Sequence, residues 1–194
     1  MSRPAGNANK ETVSLVLIAG LPGAGKTTIA KIFAEKGVPV LSMGDAMREE
    51  ARRQGRPDDI DSMRKFMVQL RKERGEAVVA ELVIQKLRGV NAPLVVIDGL
   101  RSEEELEAFR RVAGKMLLVL VESDLQRRFR RLSKRGRPDD PKKVEDLRRR
   151  DGTELTVGLE KLMSREGTRI TNDGDLVSLK KKTIGLIRKQ GFNL

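Results

Sequence analysis

The chain has 194 residues, 40 of them Lys or Arg and 28 Asp or Glu, for a formal net charge of +12. That length fits one domain able to bury a core of its own. Cysteine, histidine, tryptophan and tyrosine are absent, which excludes disulfides, thiolate or imidazole metal sites and the commonest general base; any chemistry must run on Lys, Arg, carboxylates, hydroxyls and a bound metal.

Residues 1–12 are polar, contain Pro and Gly, and lack an apolar h-region, so they read as a flexible tail and not as a signal peptide. No later apolar run approaches the roughly eighteen residues of a membrane span, and the expectation is a soluble, cytoplasmic protein with no membrane partner. The run Val13-Ser14-Leu15-Val16-Leu17-Ile18-Ala19 predicts a strand leading into Gly20-Leu21-Pro22-Gly23-Ala24-Gly25-Lys26-Thr27, a complete G-x-x-x-x-G-K-[ST] P-loop. Its glycines let backbone N–H groups ring a triphosphate at close approach, Lys26 reaches the β- and γ-phosphates, and Thr27 offers its hydroxyl to Mg²⁺. Thr28 and the apolar positions up to Ala34 recur at helical spacing, which puts the anion on a helix N-terminus. Residues 20–28 are therefore the expected site for ATP and Mg²⁺.

Val38-Pro39-Val40-Leu41 reads as a second, short strand, and Ser42-Met43-Gly44-Asp45 opens a charged helical segment. From about residue 44 to 89 there are only helical patterns, broken near Arg56-Pro57 and Gly75, which predicts an inserted helical lobe. Leu94-Val95-Val96-Ile97-Asp98 is a continuous apolar run of the type parallel sheets bury on both faces. It ends in Asp98, where a nucleoside triphosphatase often puts the carboxylate that holds Mg²⁺ through water; the other reading of Asp98-Gly99 is a strand-ending turn. Ser102–Ala113 has Glu first and Arg last, the order a helix dipole favours; Met116–Val121 is another strand, and Thr168–Thr171 a short last one. Strands alternating with helices predict an α/β fold: a P-loop NTPase three-layer α/β/α architecture on a mostly parallel five-stranded sheet.

Arg residues concentrate between Arg127 and Arg150. A basic surface can be a nucleic-acid footprint, but with aromatics at 3% the stacking platforms for single strands are nearly missing. A lid of guanidinium groups that closes over phosphates accounts for the same clustering, with residues 123–150 as the lid region. Arg131 and Arg135, four apart, would share a helix face.

Several segments carry a resemblance to a known family. Ser42-Met43-Gly44-Asp45-Ala46-Met47-Arg48 is similar to the S-T-G-D-x-x-R segment of adenylate kinases, and Asp98-Gly99-Leu100-Arg101 resembles their D-G-x-P-R segment with one residue fewer and no proline. Arg131-Leu132-Ser133-Lys134-Arg135-Gly136-Arg137-Pro138-Asp139-Asp140 resembles their R-L-x-x-R-G…R-x-D-D lid, and Arg148 lies where the next lid arginine is expected. Ile170-Thr171-Asn172-Asp173-Gly174 is similar to the turn after the last strand in dephospho-coenzyme A kinases, beside the nucleotide base. Over residues 13–190 the chain resembles the archaeal-type small P-loop kinases related to adenylate kinase and dephospho-coenzyme A kinase.

That resemblance implies an ATP-dependent phosphotransferase. Lys26, Arg131, Arg135 and Arg148 would stabilise the transferring phosphoryl. Residues 20–28 and Asn172 would hold the nucleotide, and Thr27 and, through water, Asp98 would hold Mg²⁺. Asp45, Arg48, Asp98, Arg101 and Arg137 would hold the acceptor, a nucleoside monophosphate or dephospho-coenzyme A, in the helical lobe. The other reading of the same loop is a P-loop ATPase that acts with RNA or a protein partner and has no small-molecule acceptor. The oligomeric state and the choice of ATP over GTP are not encoded in these motifs.

Overall fold

The computed structural model describes residues 13–192, so the expected tail at 1–12 lies outside the described residues. Five strands, β1 (Ser14–Ala19), β2 (Val40–Ser42), β3 (Leu94–Leu100), β4 (Lys115–Glu122) and β5 (Thr168–Thr171), form one sheet in the order β2-β3-β1-β4-β5. Every pairing is parallel. From β1 the chain builds β2 and β3 to one side and then β4 and β5 to the other. Ligand crevices form at such a reversal, outside the carboxyl ends of the strands.

Side chains alternate across a strand, and the two faces of β1 go into two cores. Leu15 and Leu17 pack with Val95 and Ile97 under α2 (Met43–Arg53), α3 (Ile60–Arg74), α4 (Val78–Leu87) and α5 (Glu103–Arg110). Val16 and Ile18 pack with Val96 under α1 (Lys26–Ala34) and α9 (Leu176–Lys189). These are the three layers that the alternating pattern predicts. The 44–89 interval contributes to the sheet-covering layer as well, since Val78, Val79, Ala80 and Val83 of α4 join the same core as β1 and β3. Local signals set the helix starts: Ser42 accepts from the amide of Asp45, Ser102 from that of Glu105, and a carboxylate caps α3 through Asp59.

The basic interval folds as α6 (Leu125–Arg135) and α7 (Val144–Glu154), followed by a π-helical turn (Leu155–Leu159) and α8 (Glu160–Met163). Gly158 sits in that turn at φ 128°. A β-carbon there would lie 2.9 Å from the β-carbon of Ser102, so the glycine lets this helix cross close over the corner between β3 and α5. No helix among the described residues is long and apolar enough to cross a membrane.

Candidate active site

The site begins at a bulge. Ile18 pairs with Asp98 but Ala19 pairs with Leu100, leaving Gly99 as the extra residue at φ 99°. The bulge keeps Asp98 on the face that α1 covers and returns Leu100 to the opposite core. Thr27, in the first turn of α1, therefore meets Asp98 from the same side of the sheet, and its hydroxyl donates to Asp98 Oδ2 at 2.7 Å.

The other carboxylate oxygen, Asp98 Oδ1, is buried without a hydrogen-bond partner. An unpaired anionic oxygen is costly in a protein interior, and beside a P-loop hydroxyl it supplies the hard oxygen donor that Mg²⁺ prefers. These residues fit the metal that the loop implies. Asp98 and Thr27 would hold it, the carboxylate directly or through water.

The P-loop fits the space between α6 and the turn after β5. A β-carbon at Gly25 would lie 2.1 Å from Asn172 Nδ2. That amide donates to the carbonyl of Ala24 at 2.8 Å, while the Asn172 carbonyl accepts from Arg131 Nη2 at 2.7 Å. Arg131 Nη1 reaches the Gly23 carbonyl at 3.2 Å, so Asn172 and Arg131 together hold the loop by its carbonyls. Lys26 donates to the carbonyls of Gly20 and Leu21 at 2.7 and 3.1 Å. Burial pushes its ammonium down to about 8, against the opposing pull of Glu154 and Asp98.

In front of the loop lies a cleft lined by eight basic side chains and two carboxylates, Asp98 and Glu154. That imbalance makes it an anion receptor. Pro22, Gly23, Gly25, Lys26, Thr27 and Thr28 line it, as do Arg48, Arg101, Arg131, Arg135 and Arg137. Burial, then the like charges of Arg135 and Arg48, hold the Arg137 guanidinium below its ordinary range, a repulsion that a bound anion would relieve.

A second chamber opens from this cleft between α2, α3 and α7. Gly44, Arg48, Arg101, Arg150 and Glu154 line both. The chamber is open at its mouth and narrow within, with a cavity volume of about 80 Å³. Met47, Ile60, Met63, Met67 and Val79 form its apolar walls.

Glu154, 5% exposed, stands at the junction. Arg101 Nε donates to it at 3.1 Å, and Arg150 lies 3.7 Å away. Burial raises the affinity of Glu154 for a proton, but Arg101, Arg150 and Lys26 outweigh this and hold it below the ordinary carboxylate range. Burial also works against charge on Arg101, and Glu154 and Glu105 more than offset it, so that guanidinium is held above its usual value.

The structure brings most of the sequence-derived residues to the cleft over the P-loop and leaves others outside it. Gly20, Leu21 and Ala24 do not line the cleft; Ala24 is buried in one core and Leu21 packs against the other. Asn172 does not line the cleft either, because its amide is committed to the loop backbone. Asp45 is exposed and ion-paired with Arg48. Arg148 is on the exposed side of α7 and lines neither cavity. Successive helical residues are turned by about 100°, and the side of α7 that faces the chamber is Asp146, Arg149, Arg150, Thr153 and Glu154. Arg150 therefore takes the place expected for Arg148.

Sequence reasoning missed Arg150 and Glu154, although their i, i+3, i+4, i+7, i+8 stripe is a readable signal. It also missed Arg128, which is buried, pairs with both oxygens of Asp151 at 2.9 and 2.7 Å, and donates to the Pro22 carbonyl at 3.1 Å. Nothing local distinguishes it from its exposed neighbours. In the region expected to form a lid, Arg135 is paired with Asp140 and Arg150 with Asp139.

The sequence model of the AAA domain matches residues 19–148. A UPF0200 protein of Thermococcus sibiricus is 39% identical over 182 residues, covering 92% of this chain and 96% of that protein. Among solved structures, TT1252 from Thermus thermophilus has a TM-score of 0.63 at 21% identity, over 93% of this chain and 99% of its own. A shikimate kinase from Acinetobacter baumannii, solved in complex with shikimate, has a TM-score of 0.53 at 21% identity, over 94% and 97%. At those identities the two structures establish the shared fold, which is that of small P-loop kinases.

Proposed function

The chain belongs to the AAA-domain family and to the UPF0200 proteins within reach of it in sequence, and we propose that it is an ATP-dependent phosphotransferase acting on a nucleotide-like acceptor. The observation that carries this reading is the pair of cavities with one shared wall: an anion-binding cleft over the P-loop and an adjoining chamber, joined at Arg48, Arg101, Arg150 and Glu154. A nucleoside monophosphate or dephospho-coenzyme A is the acceptor class that the sequence resemblance favours, and the kinase fold of the shikimate kinase neighbour is compatible with either.

In this mechanism the ATP phosphates lie against the loop amides, with Lys26 on the β- and γ-phosphates. Bound Mg²⁺ would supply charge neutralisation on the phosphate oxygens. Arg48 and Arg101 hold the acceptor so that its attacking oxygen stands in line with the γ-phosphate, which converts much of the barrier into binding already made. Glu154 keeps Arg101 and Arg150 oriented between the two substrates. Arg135 and Arg137 close the cleft and keep water from the transferring group.

The test is Arg48→Met with a panel of nucleoside monophosphates and dephospho-coenzyme A. Loss of its guanidinium should raise acceptor KM about tenfold or more while the Kd for ATP stays the same. If acceptor KM and kcat are both unchanged, the acceptor does not sit where this reading puts it.

A further inference from the structure

The far wall of the chamber holds a group that the transfer mechanism does not use. Arg71, on α3, is 3% exposed and lines the chamber. Its Nη2 is hydrogen-bonded to Glu105 Oε1, yet its Nε and Nη1 are buried without any hydrogen-bond partner. Glu76 stands 3.8 Å from Nε, beyond hydrogen-bond range. Buried guanidinium nitrogens are rarely left unpaired, because each forfeits its hydration.

Arg71 is also held in place. Glu105 is fully buried, and its other oxygen, Oε2, accepts from the backbone amide of Arg101 at 2.7 Å. The same carboxylate thus anchors Arg71 on the far wall and the chain segment that carries Arg101 at the near end. Two turns earlier on α3, Arg64 lines the same chamber; its Nη2 pairs with Asp61 at 3.5 Å, and its Nε is a second buried donor without a partner. Ile60, Met63, Arg64, Met67 and Arg71 recur at the spacing of one helix face. Between the two ends lies the apolar stretch of Met47, Met63, Met67 and Val79, thioether-rich and able to adapt to a flat or irregular body.

We propose that the acceptor carries a second anionic group, carboxylate or phosphate, which Arg71 and Arg64 receive at the far wall while Arg48 and Arg101 hold its reacting end. This rests on the phosphotransferase reading and narrows the substrate class to doubly anionic molecules with an apolar or planar body between the charges. A singly charged acceptor would leave the Arg71 and Arg64 donors buried and unmet.

The experiment uses paired probes that differ only in the second anion: adenosine 3′,5′-bisphosphate against adenosine 5′-monophosphate for phosphate, and orotidine 5′-monophosphate against uridine 5′-monophosphate for carboxylate. Binding is measured by calorimetry on the full chain saturated with Mg·ADP, and transfer by labelled ATP. In at least one pair, the doubly anionic probe should bind about tenfold tighter or better, and the pair that shows it identifies the anion. Arg71→Lys should abolish that preference, leaving the affinity for Mg·ADP and for the singly charged probe unchanged. Arg71→Met with Glu105→Gln removes both charges of the buried pair and should give the same loss, which guards against a folding defect in either variant alone. Equal affinities within both pairs, or a preference that survives both variants, would overturn the proposal. Absence of transfer to any probe would count against the phosphotransferase reading, while the calorimetric comparison would still decide the role of Arg71.

Discussion

The position of Lys26 makes the affinity for ATP depend on pH in a way that can be worked out in advance. Its ammonium has an ordinary value of 10.5 and is pushed down to about 8, chiefly by burial. A triphosphate bound against it favours the charged form, so the bound value returns well above 8. ATP affinity is then complete below pH 8 and is lost as pH rises through it. For one group of this kind the apparent Kd grows as one plus ten to the power of pH minus 8: about twofold at pH 8 and about elevenfold at pH 9, or roughly 1.4 kcal/mol per pH unit beyond. The last phosphate proton of ATP leaves near pH 6, so calorimetric titration of Mg·ATP from about pH 7.5 to about 9.5 isolates the lysine. Glu154 is the largest influence holding Lys26 up, and Asp98 the next. Glu154→Gln should therefore move the break to lower pH. A Kd that stays flat to pH 9.5, or a break that moves upward in Glu154→Gln, would refute this account of the loop lysine.

Other substitutions test separate parts of the site. Asp98→Asn keeps an acceptor for the Thr27 hydroxyl but removes the anionic oxygen; the Mg²⁺ concentration for half-maximal activity should rise and kcat fall by about a hundredfold, whereas an unchanged Mg²⁺ titration would remove Asp98 from the metal site. Arg128→Ala leaves Asp151 buried without its partner and should cost about 3–5 kcal/mol in denaturant unfolding; a loss below 1 kcal/mol would mean the pair is not the anchor of α6 and α7. Gly25→Ala forces a β-carbon against the Asn172 amide at a φ of 109°, so ATP binding should drop by about two orders of magnitude. Adding Asn172→Ala should recover only part of it, because the backbone strain stays; full recovery would show that the clash alone mattered.

The parts of the fold and site that were legible in the sequence are those set by short stretches of chain. The P-loop, the buried run before Asp98 and the helix starts at Ser42 and Ser102 each depend on a few adjacent residues, and strand, loop and helix follow within the first 34 positions. Thr27 and Asp98 are 71 positions apart, yet both were readable as metal-site residues, Thr27 from the loop motif that follows β1 and Asp98 from the buried run that β3 places beside it. Arg148 shows where such reading stops. A motif spacing gives an arginine's position in the chain, but the rotation of α7 about its axis is set by Leu147 and Asp151 packing inward, and that turns Arg150 and Glu154 to the cavity. Asn172 was readable as a turn residue near the nucleotide; that its amide would be used on the Ala24 carbonyl depends on a loop 148 positions earlier. Arg71 shares a helix face with Met63 and Met67, but that spacing alone does not tell a buried arginine from a solvated one.

The central claim is that the two cavities are the donor and acceptor halves of one transfer site, and the fate of the γ-phosphate tests it most directly. With γ-labelled ATP, Mg²⁺ and the acceptor panel, the label should move to an acceptor, should do so in line with acceptor concentration, and should stay on ATP in Lys26→Met. Label released only as inorganic phosphate, at a rate raised by RNA and indifferent to every acceptor, would contradict the account and leave the ATPase reading in its place.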